Sequence, residues 1–470
     1  MNSVGKEVGN EIVAFDLFES VKNIGKALGC IPEQTGIKTK KRIYKFSNEI
    51  NRREDALRKI VPVPFSVVRP FSQRLAKDMA SINEDISDIT ISVVGLGALG
   101  SQLVLNLARQ GFSNWKLIDD DILLPHNFAR HGLSALFRGQ MKAQALKQEL
   151  NLILERPKIT HYCTRFDGIK DNKDRKMIDS EIIIDSTASY SVFLPLSYME
   201  DLGQRTLSTY YTGGGLTSVL LSENKARTIR LDDIDLQIKI RGLEDPIIKT
   251  IYRTRETNQL VYATSCSSQT SVMAQDLVAV HAGIITRQIK EVIFTDSAKV
   301  YINLLSEETH EVKVKEFIPC NVIKTEIGAW QFRISQSTID EMNDYRNQKL
   351  PNETGGVPIG WINSFDKIIY VGKALPAPPD SVERPYYTIR GKEGLYKKIQ
   401  EIRQTSNDEL YYVGEWHSHP RNSSVTQSGD DLKSMAKLSS LMFEETLPGV
   451  MLILGDNNEL GCYVESGWEK

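Results

Sequence analysis

Short apolar runs that end in glycine or an acid alternate with stretches of helical spacing through most of the chain. Ile91-Ser92-Val93-Val94 breaks into Gly95-Leu96-Gly97-Ala98-Leu99-Gly100. An apolar run this short reads as a buried parallel strand, and the glycines read as a turn into a helix. Leu99, Leu103 and Leu107 recur every fourth residue, with Val104 and Ala108 beside them, which predicts one apolar helix face. Trp115–Ile118 reads as the next strand and runs into Asp119-Asp120-Asp121. Gln140–Leu154 is amphipathic through Ala143, Leu146, Leu150 and Leu154 and predicts a further helix. Ile182–Asp185 is a buried strand closed by an acid, and Thr206–Ser222 a strand broken at Gly213-Gly214-Gly215. A helix is expected from Ala263–Thr270 to about Gln288, another over Ser335–Arg346, and a third from about Leu432, with Tyr411–Val413 a strand between the last two. Ahead of all these, Glu11–Leu28, Asn48–Ile60 and Pro70–Ala80 carry apolar spacing compatible with helices.

The pattern predicts an α/β protein in three parts. Residues 1–88 form a mostly helical region, residues 89–320 a Rossmann-like domain with a mainly parallel sheet, and residues 326–470 a second α/β domain. A chain of 470 residues is too long for one ordinary core. Composition narrows the class further. With 41% hydrophobic and 25% charged residues and a net charge of −2, nothing points to nucleic acid or an anionic membrane as a partner. No apolar run is long enough to span a bilayer, and Met1–Val13 lacks the layout of a signal peptide. Five dispersed cysteines, with no Cys-x-x-Cys pair, fit a reducing cytoplasm better than a disulfide framework.

The glycine turn is suited to phosphate. Bare backbone at Gly95, Gly97 and Gly100 permits close approach, and the following helix offers unpaired N–H groups to an anion. Asp119, at the end of the next strand, can hold ribose hydroxyls. The turn alone would serve an NAD enzyme equally well. Asp121, Asn127, Arg130 and Gly139-Gln140-Met141-Lys142 then follow. Over Ile89–Val314 this run resembles the adenylating enzymes that activate ubiquitin and its relatives, including bacterial enzymes of thiamine and molybdopterin synthesis. Their pattern is Asp-x-Asp, Asn, Arg, Gly-Gln-x-Lys. The resemblance implies ATP and Mg²⁺ as cofactors, Arg130 and Lys142 on phosphate, a homodimer, and a loop over Leu231–Arg253 that clamps the substrate's tail. It also implies a second acid three residues after Asp185, where this chain has Ala188. Metal binding then falls to Asp185 or Asp121, or nucleotide binding survives with adenylation impaired. The resemblance further implies an arginine, just ahead of the first strand, that reaches the nucleotide of a partner subunit, and Arg69 and Arg74 lie at about that place. Cys266 precedes a predicted helix, whose N-terminal field favours thiolate, and is the candidate to take the acyl group as a thioester.

Near the end of the chain, His417 and His419 stand two apart. On a strand that spacing puts both imidazoles on one face, where they can share a cation. Asp431 supplies an anionic third ligand and leaves a fourth position for water, whose pKa zinc lowers towards ~7. Glu353 can carry the proton to a leaving amine, and the Ser428 hydroxyl can hydrogen-bond an oxyanion. The series Glu353-Thr354-Gly355-Gly356, His417-Ser418-His419-Pro420, Ser428-x-x-Asp431 resembles the JAB/JAMM metalloproteases over about Trp330–Lys470. Seven residues separate Pro420 from Ser428, one more than the commonest spacing of that family, which leaves Asp430 as an alternative ligand. The Ser-x-x-Asp spacing favours Asp431.

Together the two resemblances imply a chain that activates the C-terminus of a ubiquitin-like protein with ATP and also processes or removes it with Zn²⁺. A separate ubiquitin-conjugating-like enzyme would be the next acyl acceptor, in a bacterial system linked to antiviral defence. Two other readings stay open: activation and processing of a sulfur carrier in cofactor or cysteine biosynthesis, and a nucleotide-binding scaffold in which the protease alone is active. The protease is expected to work without the rest of the chain.

Overall fold

The computed structural model describes residues 14–30, 52–65, 71–82, 85–86, 89–199, 202–252, 259–261, 269–271 and 273–465. The chain divides into two compact units, Met1–Phe71 and Ser72–Lys470. In the first, the strand Ala14–Asp16 pairs antiparallel with Val63–Phe65, beside the short helices Val21–Ala27 and Glu54–Leu57. The helix expected over Glu11–Leu28 therefore starts only at Val21, because the Ser20 side chain caps it there by accepting from the Asn23 N–H. Of the helix expected over Asn48–Ile60, the described residues form Glu54–Leu57.

The second unit opens with a helix, Gln73–Ala80, and then builds two sheets. Eight strands form the first: β1 (Thr90–Val94), β2 (Asn114–Ile118), β3 (Lys158–Tyr162), β4 (Ile182–Asp185), β5 (Arg205–Thr212), β6 (Thr217–Ser222), β7 (Lys299–Leu305) and β8 (Val312–Phe317). Their spatial order is β8-β7-β6-β5-β4-β1-β2-β3. From β3 to β5 neighbours are parallel, and the edge from β5 to β8 is antiparallel. The strand broken at Gly213-Gly214-Gly215 is thus a hairpin, β5–β6, turned by a 3-10 segment at those glycines. Helix α1 (Ala98–Ala108) leaves the glycine turn with Leu99, Leu103, Val104, Leu107 and Ala108 all buried. It packs on α5 (Gln275–Ile293), after α2 (Lys142–Ile153), α3 (Tyr190–Tyr198) and α4 (Leu231–Gly242) in the chain. Since β1 lies between β2 and β4, the connections diverge at its carboxyl end, the usual place for a ligand crevice in such a sheet.

The second sheet contains β9 (Val322–Ile327), β10 (Trp330–Ser335), β11 (Gly355–Asn363), β12 (Ile368–Leu375), β13 (Tyr411–Tyr412), β14 (Glu415–Ser418), β15 (Gly449–Leu454) and β16 (Leu460–Glu465). Its order is β9-β10-β12-β11-β14-β15-β16, with β13 also paired to β11. Helices α6 (Gln336–Lys349), α7 (Leu395–Thr405) and α8 (Gly429–Glu444) complete it. Trp416, Met435, Leu438 and Ile453 belong to its main core.

Of the clamp loop expected over Leu231–Arg253, Arg253 lies outside the described residues and the rest is mainly helical. It begins as α4 and continues through a 3-10 turn, Ile248–Tyr252. Ile234 and Ile238 of α4 pack with Val219, Val300 and Ile302 of the first sheet. Leu236 packs with Val357, Ile359, Ile368 and Tyr370 of the second, with Ile240 and Leu243 alongside. A helix buried on two sides shows no single apolar stripe. Its charges are buried in pairs. Asp232 and Asp233 both meet Arg333, Tyr370 donates to Asp232, and Lys324 lies 2.9 Å from Asp233. The second sheet therefore shares part of its core with the first domain through α4.

Candidate active sites

His417 lies on β14, which pairs with β15 on one side and with Gly355 of β11 on the other. The Gly355 backbone comes so close that a Cβ there would meet the Trp416 carbonyl oxygen at 2.5 Å, and the tight pairing brings Glu353 alongside the histidines. Thr354 and Ser418 lock the two segments together: the Ser418 N–H donates to the Thr354 carbonyl (2.7 Å) and the Thr354 N–H to Ser418 Oγ (3.2 Å). His419 follows the strand directly. Its Nδ1–H donates to the Ser424 carbonyl at 2.6 Å, which leaves the Nε2 lone pair facing inward. Arg346, buried on α6, donates to the His419 carbonyl (3.0 Å) and pairs with Asp456 (2.7 Å).

Ser428 is the N-cap of α8 and Asp431 its third residue. The Asp431 N–H donates to Ser428 Oγ (3.2 Å) and the Ser428 N–H to Asp431 Oδ2 (2.8 Å). The Ser-x-x-Asp spacing is thus a capping box that aims the Asp431 carboxylate at the histidines. His417 Nε2 is 3.3 Å from His419 Nε2 and 3.2 Å from Asp431 Oδ1, and His419 Nε2 is 3.6 Å from Asp431 Oδ2. Ligands about 2.0–2.1 Å from a tetrahedral zinc ion lie ~3.3 Å from one another, so the three donors fit that ion. Asp430 instead faces solvent with Lys433, 2.8 Å away. Glu353 is 8% exposed beside this cluster. Burial pushes its carboxyl above the usual range, against the opposing pull of both imidazoles.

At the carboxyl edge of the first sheet, a cavity of about 270 Å³ is lined by Gly95, Gly97, Asp119, Asp121, Lys142 and Arg165, among others. Gly95 takes φ +86°, a conformation that other residues rarely adopt, and so permits the turn. Gly100 does not line the cavity; a Cβ there would strike the Gly95 carbonyl oxygen at 2.1 Å. Asp119 accepts from the Leu96 N–H (2.6 Å) and the Asp121 N–H (2.9 Å), and so braces the turn while facing the cavity. Burial raises its pKa, and Lys142, 4.0 Å away, opposes that rise. Lys142 also pairs with Asp121 at 2.6 Å. Asn127 and Arg130 are not among the lining residues; the Asn127 amide oxygen accepts from the Leu124 N–H (2.8 Å) and shapes the loop. Asp185 is buried behind the cavity, accepting from the Thr187 N–H (3.0 Å), Thr187 Oγ1 (2.6 Å) and Ser208 Oγ (3.1 Å). Cys266 and Arg69 lie outside the described residues, and Arg74 is exposed on the helix Gln73–Ala80.

Comparison with known proteins is in keeping with these two centres. The ThiF family matches residues 72–197, and prokaryotic homologues of the JAB domain match residues 335–463. The chain joins a ThiF-family domain to a JAB-type domain. Among curated relatives, it is 37% identical over 122 residues to a CD-NTase/cGAS isopeptidase of Enterobacter hormaechei subsp. hoffmannii, covering 26% of this chain and 66% of that one. It is 28% identical over 142 residues to the ATP-dependent ubiquitin transferase-like protein Cap2 of the same strain, covering 30% of this chain and 24% of that one. Less than two thirds of either relative is therefore spanned. Among solved structures, MccB of E. coli with ATP is 16% identical, with a TM-score of 0.36 over 52% of this chain and 66% of that one.

Several residues of the two domains escaped the reading of the sequence. Arg165 of the ThiF-family domain lies just past β3, so its place at the carboxyl edge was available once that strand was recognised. Arg346 and Ser424 of the JAB-type domain act on or through backbone carbonyls, which leave no mark in side-chain spacing.

Proposed function

We propose that this chain uses ATP to activate the C-terminal carboxylate of a ubiquitin-like protein, and that its JAB-type domain is a zinc-dependent isopeptidase acting at the same terminus. The observation that carries the hydrolytic half is the convergence of His417, His419 and Asp431 beside the buried Glu353. A zinc ion held by those three would supply Lewis acidity at the scissile carbonyl. Glu353, buried beside the three ligands, accepts the proton of the attacking water and delivers it to the leaving amine. The Ser428 hydroxyl accepts from the Asp431 N–H and keeps its own proton to donate to the developing oxyanion.

In the ThiF-family domain, the cavity at the glycine turn would hold ATP with Mg²⁺, the ion supplying positive charge to the phosphates. Asp119 would meet the ribose, Lys142 would neutralise phosphate charge, and Asp121 or Asp185 would hold the Mg²⁺ ion. A carboxylate oxygen attacks the α-phosphorus, the bond to the β-phosphate oxygen breaks, and pyrophosphate leaves. The Cys266 thiolate then attacks the carbonyl of the acyl adenylate, AMP leaves as the thioester forms, and a separate conjugating enzyme receives the acyl group by thioester exchange, which returns the Cys266 thiol. The domain pairs with a second copy of the chain. The relatives' names, an isopeptidase and an ATP-dependent ubiquitin transferase-like protein, support a modifier system of this kind, for which we propose a role in antiviral defence.

The experiment is cleavage of a ubiquitin-like protein fused through its tail to a reporter, with and without chelator. Cleavage that persists after zinc is removed overturns the hydrolytic reading. A second reading, a nucleotide-binding scaffold with only the peptidase active, is favoured by Ala188. Absence of ATP–pyrophosphate exchange in the presence of the modifier would establish it.

A further inference from the structure

Glu353, the proton carrier of the reaction proposed above, is not fixed by the sheet. It stands two residues ahead of β11, outside the ladder that joins β11 to β14. A separate hairpin does the holding, in which Val382–Arg384 pairs antiparallel with Tyr387–Ile389. The Arg384 carbonyl accepts from the Glu353 N–H at 2.9 Å. One residue on, Thr354 Oγ1 donates to Glu383 Oε1 at 2.6 Å. Lys349, the last residue of α6, pairs with the other oxygen of Glu383. Thr354 is thus held from two sides, by Glu383 through its hydroxyl and by Ser418 through its backbone.

Strand alternation explains why Glu383 turns inward. Val382 lies opposite Ile389 and Arg384 opposite Tyr387, and all four are exposed. Glu383 and its partner Thr388 share the other face, and the Glu383 side chain is 14% exposed. The base of the hairpin is tied down as well. Asp380 accepts from the Lys392 and Glu393 N–H groups, each at 2.9 Å. Arg390 reaches Glu415 of β14 with two hydrogen bonds, at 2.6 and 2.8 Å. The hairpin is therefore anchored on both flanks of the site, to the strand that carries His417 and to the segment that carries Glu353.

We infer that Glu383 is a positioning residue for Glu353: by holding Thr354 Oγ1 it fixes the backbone from which the Glu353 carboxylate meets the attacking water. The inference rests on the hydrolytic reading above. A displacement of about 1 Å in a reacting group can cost about 10²-fold in rate, so a hydrogen bond one residue away from the proton carrier bears directly on turnover.

The test uses the full chain loaded with zinc and a panel of tail-fused reporters built on ubiquitin and bacterial ubiquitin-like proteins, of which the one cleaved fastest is chosen. Glu383→Ala and Thr354→Val should each lower kcat about tenfold or more, with KM within about twofold of the parent and zinc content unchanged. Thr354→Ser, which keeps the hydroxyl, should restore the parent kcat. In a Glu353→Gln background no carboxylate remains to be positioned, so adding Glu383→Ala should slow the residual cleavage no further; a merely structural role would slow it again. Without zinc or substrate, the Glu353 amide hydrogen should exchange faster in Glu383→Ala and Thr354→Val than in the parent. Parent-like kcat in both variants, a raised KM at parent kcat, lost zinc, or an equal further loss in the Glu353→Gln background overturns the positioning role and leaves the hydrolytic reading standing. Parent cleavage that persists without zinc, or no cleavage of any reporter, overturns that reading and this inference with it.

Discussion

His131 offers a quantitative test of how the glycine turn is held. Its Nε2–H donates to the Leu96 carbonyl at 2.8 Å, and its Nδ1 accepts from the Leu133 N–H at 3.1 Å. Leu96 is also the residue whose N–H donates to Asp119, so the imidazole and the carboxylate grip one residue of the turn from its two sides. Both ring nitrogens are used in the neutral form, and burial pushes the pKa down to about 4 from 6.5. Between those values the unfolded chain binds the proton and the folded chain does not. Stability attributable to His131 is therefore present above about pH 6.5 and is lost as the pH falls towards 4.

From pH 7 to pH 5 that loss amounts to about 2 kcal/mol, at roughly 1.4 kcal/mol per unit of pKa difference. Other groups in the chain also take up protons as the pH falls, so the measurement is a difference. Parent and His131→Gln proteins are unfolded in urea at several pH values, and the change in the gap between their stabilities is read. The Gln variant is expected to be less stable than the parent at pH 7, with a gap that narrows by about 2 kcal/mol at pH 5. Parallel curves for the two proteins would refute the claim that a neutral His131 braces the turn.

Glu353→Gln should retain zinc, measured by metal analysis, while cleavage of the fused reporter slows by roughly 10²-fold or more. Asp431→Ala should lose the metal and Asp430→Ala should keep it, since only the former faces the histidines. Arg333→Met should cost about 3 kcal/mol or more in urea unfolding, because Asp232 and Asp233 stay buried without their guanidinium. Leu236→Ala should cost about 2–5 kcal/mol, and isolated residues 326–470 should unfold more readily than the same segment within the chain.

What was legible in the sequence was whatever depended on neighbours along the chain. The strand β1, its glycine turn and α1 follow from one apolar run and one helical repeat, and they form where they were expected. The arrangement of His417 and His419 follows from the two-residue period of a strand, and the placing of Asp431 from its distance to a capping serine. Asp121, Asn127 and Arg130 read as one polar series, but the fold divides them: Asp121 faces the cavity while Asn127 caps a short helix. Spacing alone does not say which polar residue of a loop turns inward.

The larger omission was α4, and its cause is physical. Its apolar residues face two different cores, and its acids look like those of a solvent-exposed segment. The partner that reconciles those acids with burial, Arg333, lies 101 residues beyond Asp232. A buried ion cluster of this kind does little for net stability, since desolvating the charges offsets most of their attraction. It does penalise any arrangement in which one member lacks its partners, and so favours one seating of the JAB-type sheet on α4 over the many seatings that apolar contact alone would allow. The Lys239–Asp235–Glu409 group obeys the same logic at the far end of the helix, where the seating decides whether Glu409 meets the Lys239 ammonium, 2.7 Å away. On this argument the charges of α4 serve to align two domains, and loss of Arg333 should loosen the seating of the JAB-type sheet on α4, read as faster amide hydrogen exchange in β10 and β12, even where the chain remains folded.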